Sequence, residues 1–583
     1  MTTLRAIDAK NPPVDFKLIA NNPKKFWTTF SWVVPTFTVM FFIVAGRVWE
    51  VLPKIMGDEL IYSRNARLTD LADISVPNYL FALVFESTNS CGYGFYYCAK
   101  GINLLLLAIF VAFVYLAARL VARPMTSFWI ALLALLGPIS TYTSYFTPEM
   151  MFYAGAAALL YALFRMNTAS KWWAWLAVGI GLGLLALVKP HALFLVPPFI
   201  VYAMLLAIKG EGKRWLKAIA NPVLVVAATL GAKFAIGFAI AGQRGLGLFG
   251  GSYDNSATGI ISNGLNTETA PDAPSANPIY NTGVLGSVAW QLAFHIAFLL
   301  IFFGLPMILA SVEAIKAMKT KGEPNQLQRI SFLLIASLGA LVLVAGVFVA
   351  TSESFGEMLQ TRVMTRYYEY LLPFLPLVLV ALRDKIEHLG KGARWTIAIV
   401  YVAWMIVAIP TMMTNIPALF TDSALMASSI KSGIPLAVFA VVGLISAIIW
   451  AADHTRGEKV WVYGLAPLMV LVFAISTHLN FTVPSSVIGN YTQASRWAHD
   501  NLTDEQKDHL HIVGNALPNV QQAQFWVDNV NVTGEEIVTD GELNLDNVAE
   551  GKDYVLAIGS LSLTGQGSII FQQGNFAFIK VGK

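Results

Sequence analysis

The chain has 583 residues, of which 56% are hydrophobic and only 13% charged, with a net charge of +4 and a mean hydropathy of +0.61. That balance excludes a string of soluble domains, and no strand-like alternation dominates the apolar runs, which argues against a lipid-facing barrel. The sequence reads as a polytopic α-helical membrane protein: apolar runs of about 16–26 residues recur from Thr28 to His478, each long enough to cross a hydrocarbon core about 30 Å thick.

Lys17, Lys24 and Lys25 precede the first run, Thr29–Val48, so the positive-inside rule assigns residues 1–28 to the cytoplasm. That run lacks a small-residue cleavage pattern and reads as an anchor. Gly57-Asp58-Glu59-Leu60 then lies outside and opens a polar, partly amphipathic stretch within an external loop, residues 49–101. Cys91 and Cys98 flank a glycine-containing segment; they either close a small disulfide loop on an oxidising face or remain two thiols.

Spans at Ile102–Val121 and Ser127–Phe146 follow, and Thr147-Pro148-Glu149 forms a tight external turn with Pro148 suited to opening a helix. The fourth span ends at Arg165, the fifth climbs to a second external turn at Lys189-Pro190-His191, and the sixth descends to Lys209. The seventh rises from Pro222 towards Arg244, before a polar external loop over residues 245–283. The eighth, Val284–Ala310, the ninth, to Ser352, and a tenth after the external segment Glu353–Arg366 precede three more at Trp395–Pro410, Ile434–Trp450 and Val460–Thr477. The total is about 13 spans, and nearly every even-numbered one finishes in Lys or Arg, which orients the N-terminus inside and the C-terminus outside.

Composition changes after Asn480. Residues 29–480 read as the transmembrane domain and 481–583 as a small α/β extracytoplasmic domain, with a helix near Ser495–Leu502 and strands at Tyr554–Ile558, Ser568–Phe571 and Phe576–Val581. It contains no Gly-x-Gly-x-x-Gly and no Walker sequence.

Charges at the external membrane face must snorkel, pair or line a wet cavity. Asp58 and Glu59 are the catalytic candidates: adjacent helix residues point about 100° apart, so one can face a reaction centre while the other braces it. Either could instead be a first-turn acid stabilised by the helix macrodipole, and Glu149 shares that alternative. Tyr145 with Tyr142 could flank a sugar or anchor the interface. Lys189, His191, Arg362 and Arg366, the last followed by Tyr367, gather cations on the same face, which suits an anion, most naturally phosphate. Lys233 is a further candidate for that anion site, whereas His295 reads as a helix-packing polar residue. No His/Cys cluster has zinc spacing; a metal, if bound, would be a hard divalent cation (Mg, Mn or Ca) on the external carboxylates.

This layout resembles the GT-C superfamily of integral-membrane glycosyltransferases that use polyprenyl-phosphate sugars. The matching features are the acidic pair Asp58-Glu59 after the first span, the short turns at Thr147-Pro148-Glu149 and Lys189-Pro190-His191, Arg366-Tyr367 before an apolar helix, and the soluble C-terminal domain. The resemblance implies that spans over about residues 29–241 are common to the family and that the segment Asp58–Tyr97 lies on the membrane and shapes the donor cavity. It further implies transfer, with inversion, from a polyprenyl-phosphate-linked sugar to an envelope glycan or glycolipid such as lipopolysaccharide O-antigen, at the bacterial inner membrane. In that scheme Asp58 is the base, Glu59 or Glu149 orients a substrate, and Lys189, Arg362 and Arg366 neutralise the leaving phosphate. The rival readings are a transporter or flippase for a lipid-linked or anionic solute, and a non-enzymatic envelope assembly protein.

Overall fold

The computed structural model describes residues 33–53, 56–249, 283–351, 363–382, 390–415, 434–477, 486–537, 541–548, 550–559 and 562–582. The candidate Arg362 and nearly all of the loop 245–283 lie outside them. The fold is a multi-pass helical bundle followed by a small α/β domain. Among the described residues, seven helices are long and apolar enough to cross a membrane, eight if one bent pair counts as a span, and four shorter apolar helices accompany them.

Helix α1, Val33–Trp49, is followed by the polar helix α2, Met56–Arg67. Acids fill the first turn of α2 (Asp58, Glu59) and arginines its last (Arg64, Arg67), the placement the helix dipole favours at each end. Helix α3, Phe95–Ala118, begins after a 3₁₀ segment, Glu86–Gly94, and a disulfide joins Cys91 of that segment to Cys98 of α3. The thiol alternative is thereby removed.

Several spans differ from their sequence-based form. The run Ser127–Phe146 is broken at Gly137-Pro138 into a helix, Pro124–Leu136, and a 3₁₀ segment, Pro138–Ser144, bent by 45°. The break leads to Pro148, from which helix α4, Glu149–Arg165, starts. The turn expected at Lys189-Pro190-His191 is present, with Lys189 between the helix Trp172–Val188 and the 3₁₀ turn Pro190–Leu195. The seventh span starts earlier than predicted, at Arg214, with Pro222 inside the helix Arg214–Ala241. Gly179 and Gly183 let that helix approach Trp172–Val188 closely: a Cβ at either would fall 2.7 or 2.5 Å from the Val225 or Thr229 carbonyl oxygen. Small residues at such contacts are the usual means of close helix packing in lipid.

The C-terminal domain holds a five-stranded sheet of order β2-β1-β4-β7-β6. Its strands are β1 Leu510–Gly514, β2 Thr533–Glu536, β4 Tyr554–Ile558, β6 Gly567–Gln573 and β7 Phe576–Val581, while β3 Glu542–Asn544 and β5 Ser562–Thr564 pair separately. β1 runs parallel to β2 and β4, and β7 antiparallel to β4 and β6. Period-2 alternation sends Leu510, Ile512, Leu556, Ile558, Phe576 and Phe578 to one core and Val513, Val555, Ala557, Ala577 and Ile579 to the other. Burial on both faces explains why β4, Tyr-Val-Leu-Ala-Ile, reads as a continuous apolar run. The parallel crossover from β1 to β2 runs through helix α5, Leu517–Val527, whose Phe525 and Trp526 join the core of the membrane bundle rather than that of the sheet.

Candidate functional site

The site begins at the first turn of α2, and the structure separates its two acids. Asp58 is 37% exposed at its side chain, and its Oδ2 accepts a hydrogen bond from Arg366 Nη1 at 2.6 Å. Glu59 is fully buried. Its Oε1 accepts from the Phe146 backbone N–H at 2.9 Å and from the Tyr96 hydroxyl at 3.4 Å. Glu59 thus ties α2 to the turn after Pro138–Ser144, and Asp58 faces the cations.

Glu149, at the start of α4, is buried and accepts from Lys189 Nζ at 2.6 Å, while Arg366 Nε lies 3.8 Å from the same Oε1. Arg366 therefore stands between Asp58 and Glu149, with Lys189 behind. Its backbone carbonyl accepts from the Tyr153 hydroxyl at 2.8 Å, which fixes the turn Thr365–Tyr367 from the side of α4. The next residue, Tyr367, packs edge-on against the His191 ring with centroids 4.5 Å apart, and Lys189 Nζ lies 5.8 Å from the Tyr367 ring centroid. Asp58, Glu149, Lys189, His191, Arg366 and Tyr367 form one contiguous group.

Tyr145 is not bonded into this group. Its ring is buried edge-on to Tyr142 at 6.0 Å, and its carbonyl accepts from Asn103 Nδ2 at 2.8 Å. Lys233 is buried within its helix and donates to the Gly247 carbonyl, and His295 Nδ1 pairs with the Tyr368 hydroxyl at 2.8 Å.

Residues that sequence reasoning passed over hold the site in place. Lys100 donates to the carbonyls of Trp49 and Val51 and so caps the end of α1. Asn103 holds the Tyr145 carbonyl, and Tyr96 and Tyr153 anchor Glu59 and Arg366. One signal was available: Lys100 and Asn103 are polar residues beside or within an apolar run, where each must find a partner.

A divalent cation does not fit these carboxylates as they stand. Asp58 and Glu149 are paired with Arg366 and Lys189, and among the described residues no group of three or more His, Cys, Asp or Glu could hold a metal ion.

Residues 97–236 match the family model described as dolichyl-phosphate-mannose-protein mannosyltransferase. Among solved structures, the chain is similar to ArnT from Cupriavidus metallidurans bound to undecaprenyl phosphate, with 14% identity, a TM-score of 0.51, and coverage of 94% of this chain and 98% of that one. The chain shares the fold of that ArnT structure. The Archaeoglobus fulgidus oligosaccharyltransferase in its apo form is also similar, at 11% identity and a TM-score of 0.43, covering 91% of this chain and 70% of that one. No curated protein matches the sequence. The matched residues 97–236 contain Glu149, Lys189 and His191, whereas Asp58 and Arg366 fall outside the matched range.

Proposed function

We propose that this protein is a glycosyltransferase that moves a sugar from a polyprenyl-phosphate-linked donor to an envelope glycan or glycolipid, such as lipopolysaccharide O-antigen. The reaction belongs to the periplasmic face of the bacterial inner membrane, with residues 1–28 cytoplasmic, 29–480 transmembrane and 481–583 periplasmic. The observation that carries this reading is Arg366, held between the half-exposed Asp58 and the buried Glu149 with Lys189 behind it.

Arg has five N–H donors and Lys three, so each can hold a carboxylate and a phosphate oxygen together. In the proposed reaction the acceptor hydroxyl oxygen attacks the anomeric carbon. The bond from that carbon to the phosphate oxygen breaks, and its electron pair leaves with the polyprenyl phosphate. Asp58 takes the hydroxyl proton as attack proceeds. Arg366 and Lys189 offset the charge that grows on the phosphate, where preorganised electrostatics contribute most. A single displacement of this kind inverts the anomeric centre.

Glu149 holds Lys189 and Arg366 in place. Glu59 fixes α2 from below. Arg362 joins the proposal as a further phosphate ligand by its sequence position alone. An apolar cavity lined by Leu133, Pro138, Phe303, Leu372 and Trp461 has Glu369 on its wall, close in sequence to Arg366.

Purified protein incubated with undecaprenyl-phosphate- and dolichyl-phosphate-linked sugars, plus a lipopolysaccharide acceptor, tests the reading by mass spectrometry. Release of polyprenyl phosphate with a glycosylated product supports it. Donors that all stay intact, with no transfer and no hydrolysis, overturn it.

A further inference from the structure

Helix α5 of the C-terminal domain meets α2 at both of its ends. At the start of α2, the Gln521 side-chain amide lies 3.6 Å from where a Gly57 Cβ would be, one residue before Asp58. At the other end, Arg67 Nη1 and Nη2 donate to Asp528 Oδ1 and Oδ2 at 2.6 and 2.8 Å. That fork is nearly dry, with side chains 4% and 11% exposed, and the Arg67 guanidinium lies 3.5 Å from the Phe95 ring centroid. Arg64 adds a bond to the Val532 carbonyl at 2.8 Å.

Asp528 ends α5 in the left-handed region, with φ of 58°, a conformation that Asp and Asn tolerate better than other side-chain-bearing residues. Phe525 and Trp526 of α5 meet the Tyr96 ring edge-on at 5.5 and 5.6 Å, and the Tyr96 hydroxyl is a partner of Glu59. The C-terminal domain thus touches the neighbours of both acids of α2 while supplying neither.

We propose that Arg67 and Asp528 are positioning residues: their bidentate pair fixes α2 against α5 and so aligns Asp58 with Arg366. This rests on the assignment of Asp58 as base made above. A short helix moves as a rod, so a slip or roll permitted at Arg67 reappears at Asp58, and a misplacement of about 1 Å in a reacting group costs on the order of 10²-fold in rate. A simple domain tether would affect stability and leave the chemical step alone.

Two measurements on the full-length protein separate these roles. In a Gly57→Cys/Gln521→Cys background, the rate of oxidative cross-linking reports the alignment of α2 with α5 without any substrate, the native Cys91–Cys98 bond remaining closed. Adding Arg67→Gln should slow cross-linking at least about fivefold, and Arg67→Lys, which keeps the charge but not the fork, should fall between. Should Arg67→Gln fail to fold, Asp528→Asn removes the charge with a residue suited to the same backbone. On the unlinked protein, with the donor found by the mass-spectrometric screen, Asp528→Asn should lower kcat about tenfold or more and leave the donor KM within about twofold. Unchanged cross-linking, or slowed cross-linking with unchanged kcat, overturns the positioning role and leaves glycosyl transfer standing. If the screen finds no transfer, glycosyl transfer fails, and the positioning of a base fails with it; the cross-linking rates then report only how α2 is held.

Discussion

Arg366 donates to Asp58 at 2.6 Å across 308 positions of sequence, and the same guanidinium reaches to 3.8 Å from Glu149. A cation shared by two carboxylates at the mouth of an apolar bundle is costly unless charge is handled there, because desolvated ions need compensation.

Asp58→Asn keeps the size of the side chain but removes its proton-accepting charge. General bases contribute about 10²–10⁴-fold, so transfer should fall by that order in kcat with little change in donor KM. Steady-state kinetics on detergent-solubilised protein check it; a variant with full kcat would refute the base.

Glu59→Gln should behave differently, since a Gln oxygen can still accept from the Phe146 N–H. Activity should stay within about tenfold of the parent, whereas Glu59→Leu strands that buried donor at a cost of about 1–3 kcal/mol. Comparing the thermal midpoints and rates of the two variants is the test, and equal damage from both would contradict a positioning role for Glu59.

Lys189→Ala leaves the Glu149 carboxylate, only 1% exposed, without its closest partner. Breaking a buried pair typically destabilises by about 3–5 kcal/mol, and Arg366 at 3.8 Å should hold the loss near the lower end. The double variant Lys189→Met/Glu149→Leu should regain most of the stability and none of the activity. A double variant no more stable than Lys189→Ala would show that the pair is not the source.

His511 gives the C-terminal domain an acid-sensitive element. Burial in β1 lowers its pKa below the ordinary 6.5, against the pull of Glu535, while Nδ1 pairs with Thr533 Oγ1 at 2.7 Å. The unfolded chain therefore takes up the proton more readily than the folded one. Stability is fully present above pH 6.5 and is lost as pH falls from there towards the lower folded value. Hydrogen exchange at the Leu510–Gly514 amides, corrected for intrinsic rates, should be faster at about pH 5.5 than at about pH 7.5, and His511→Gln should flatten the difference. An unchanged slope in His511→Gln would assign the effect elsewhere.

Much of the architecture was legible in the residues. The strands Tyr554–Ile558 and Phe576–Val581 end where the sequence predicts, because Gly and Asn bound each apolar run. β1 and α5 escaped notice: Leu-His-Ile-Val-Gly carries a buried His in mid-strand, and Leu517–Val527 carries Gln522 and Gln524 on buried positions, so neither shows a clean period. The turn at Lys189-Pro190-His191 was legible, but the 3₁₀ breaks at Pro138 and Glu369 were hidden inside apolar runs that read as single spans. The turn and the breaks matter, since they bring Ser144–Thr147, Lys189 and Arg366 to one end of the bundle.

Local chemistry by itself determined that this chain crosses a membrane in helices, carries acids in the first turn of α2 and ends in an α/β domain, because hydropathy, period and helix-end preferences act over a few turns. Only the tertiary structure decided that Asp58 meets Arg366 while its neighbour Glu59 is buried, that Lys189 belongs to Glu149, and that Asp528 grips Arg67. The reason is geometric: a pairing between side chains hundreds of residues apart depends on how helices roll and break against one another, and ion pairs form only where that packing brings charges within a few ångströms while excluding water.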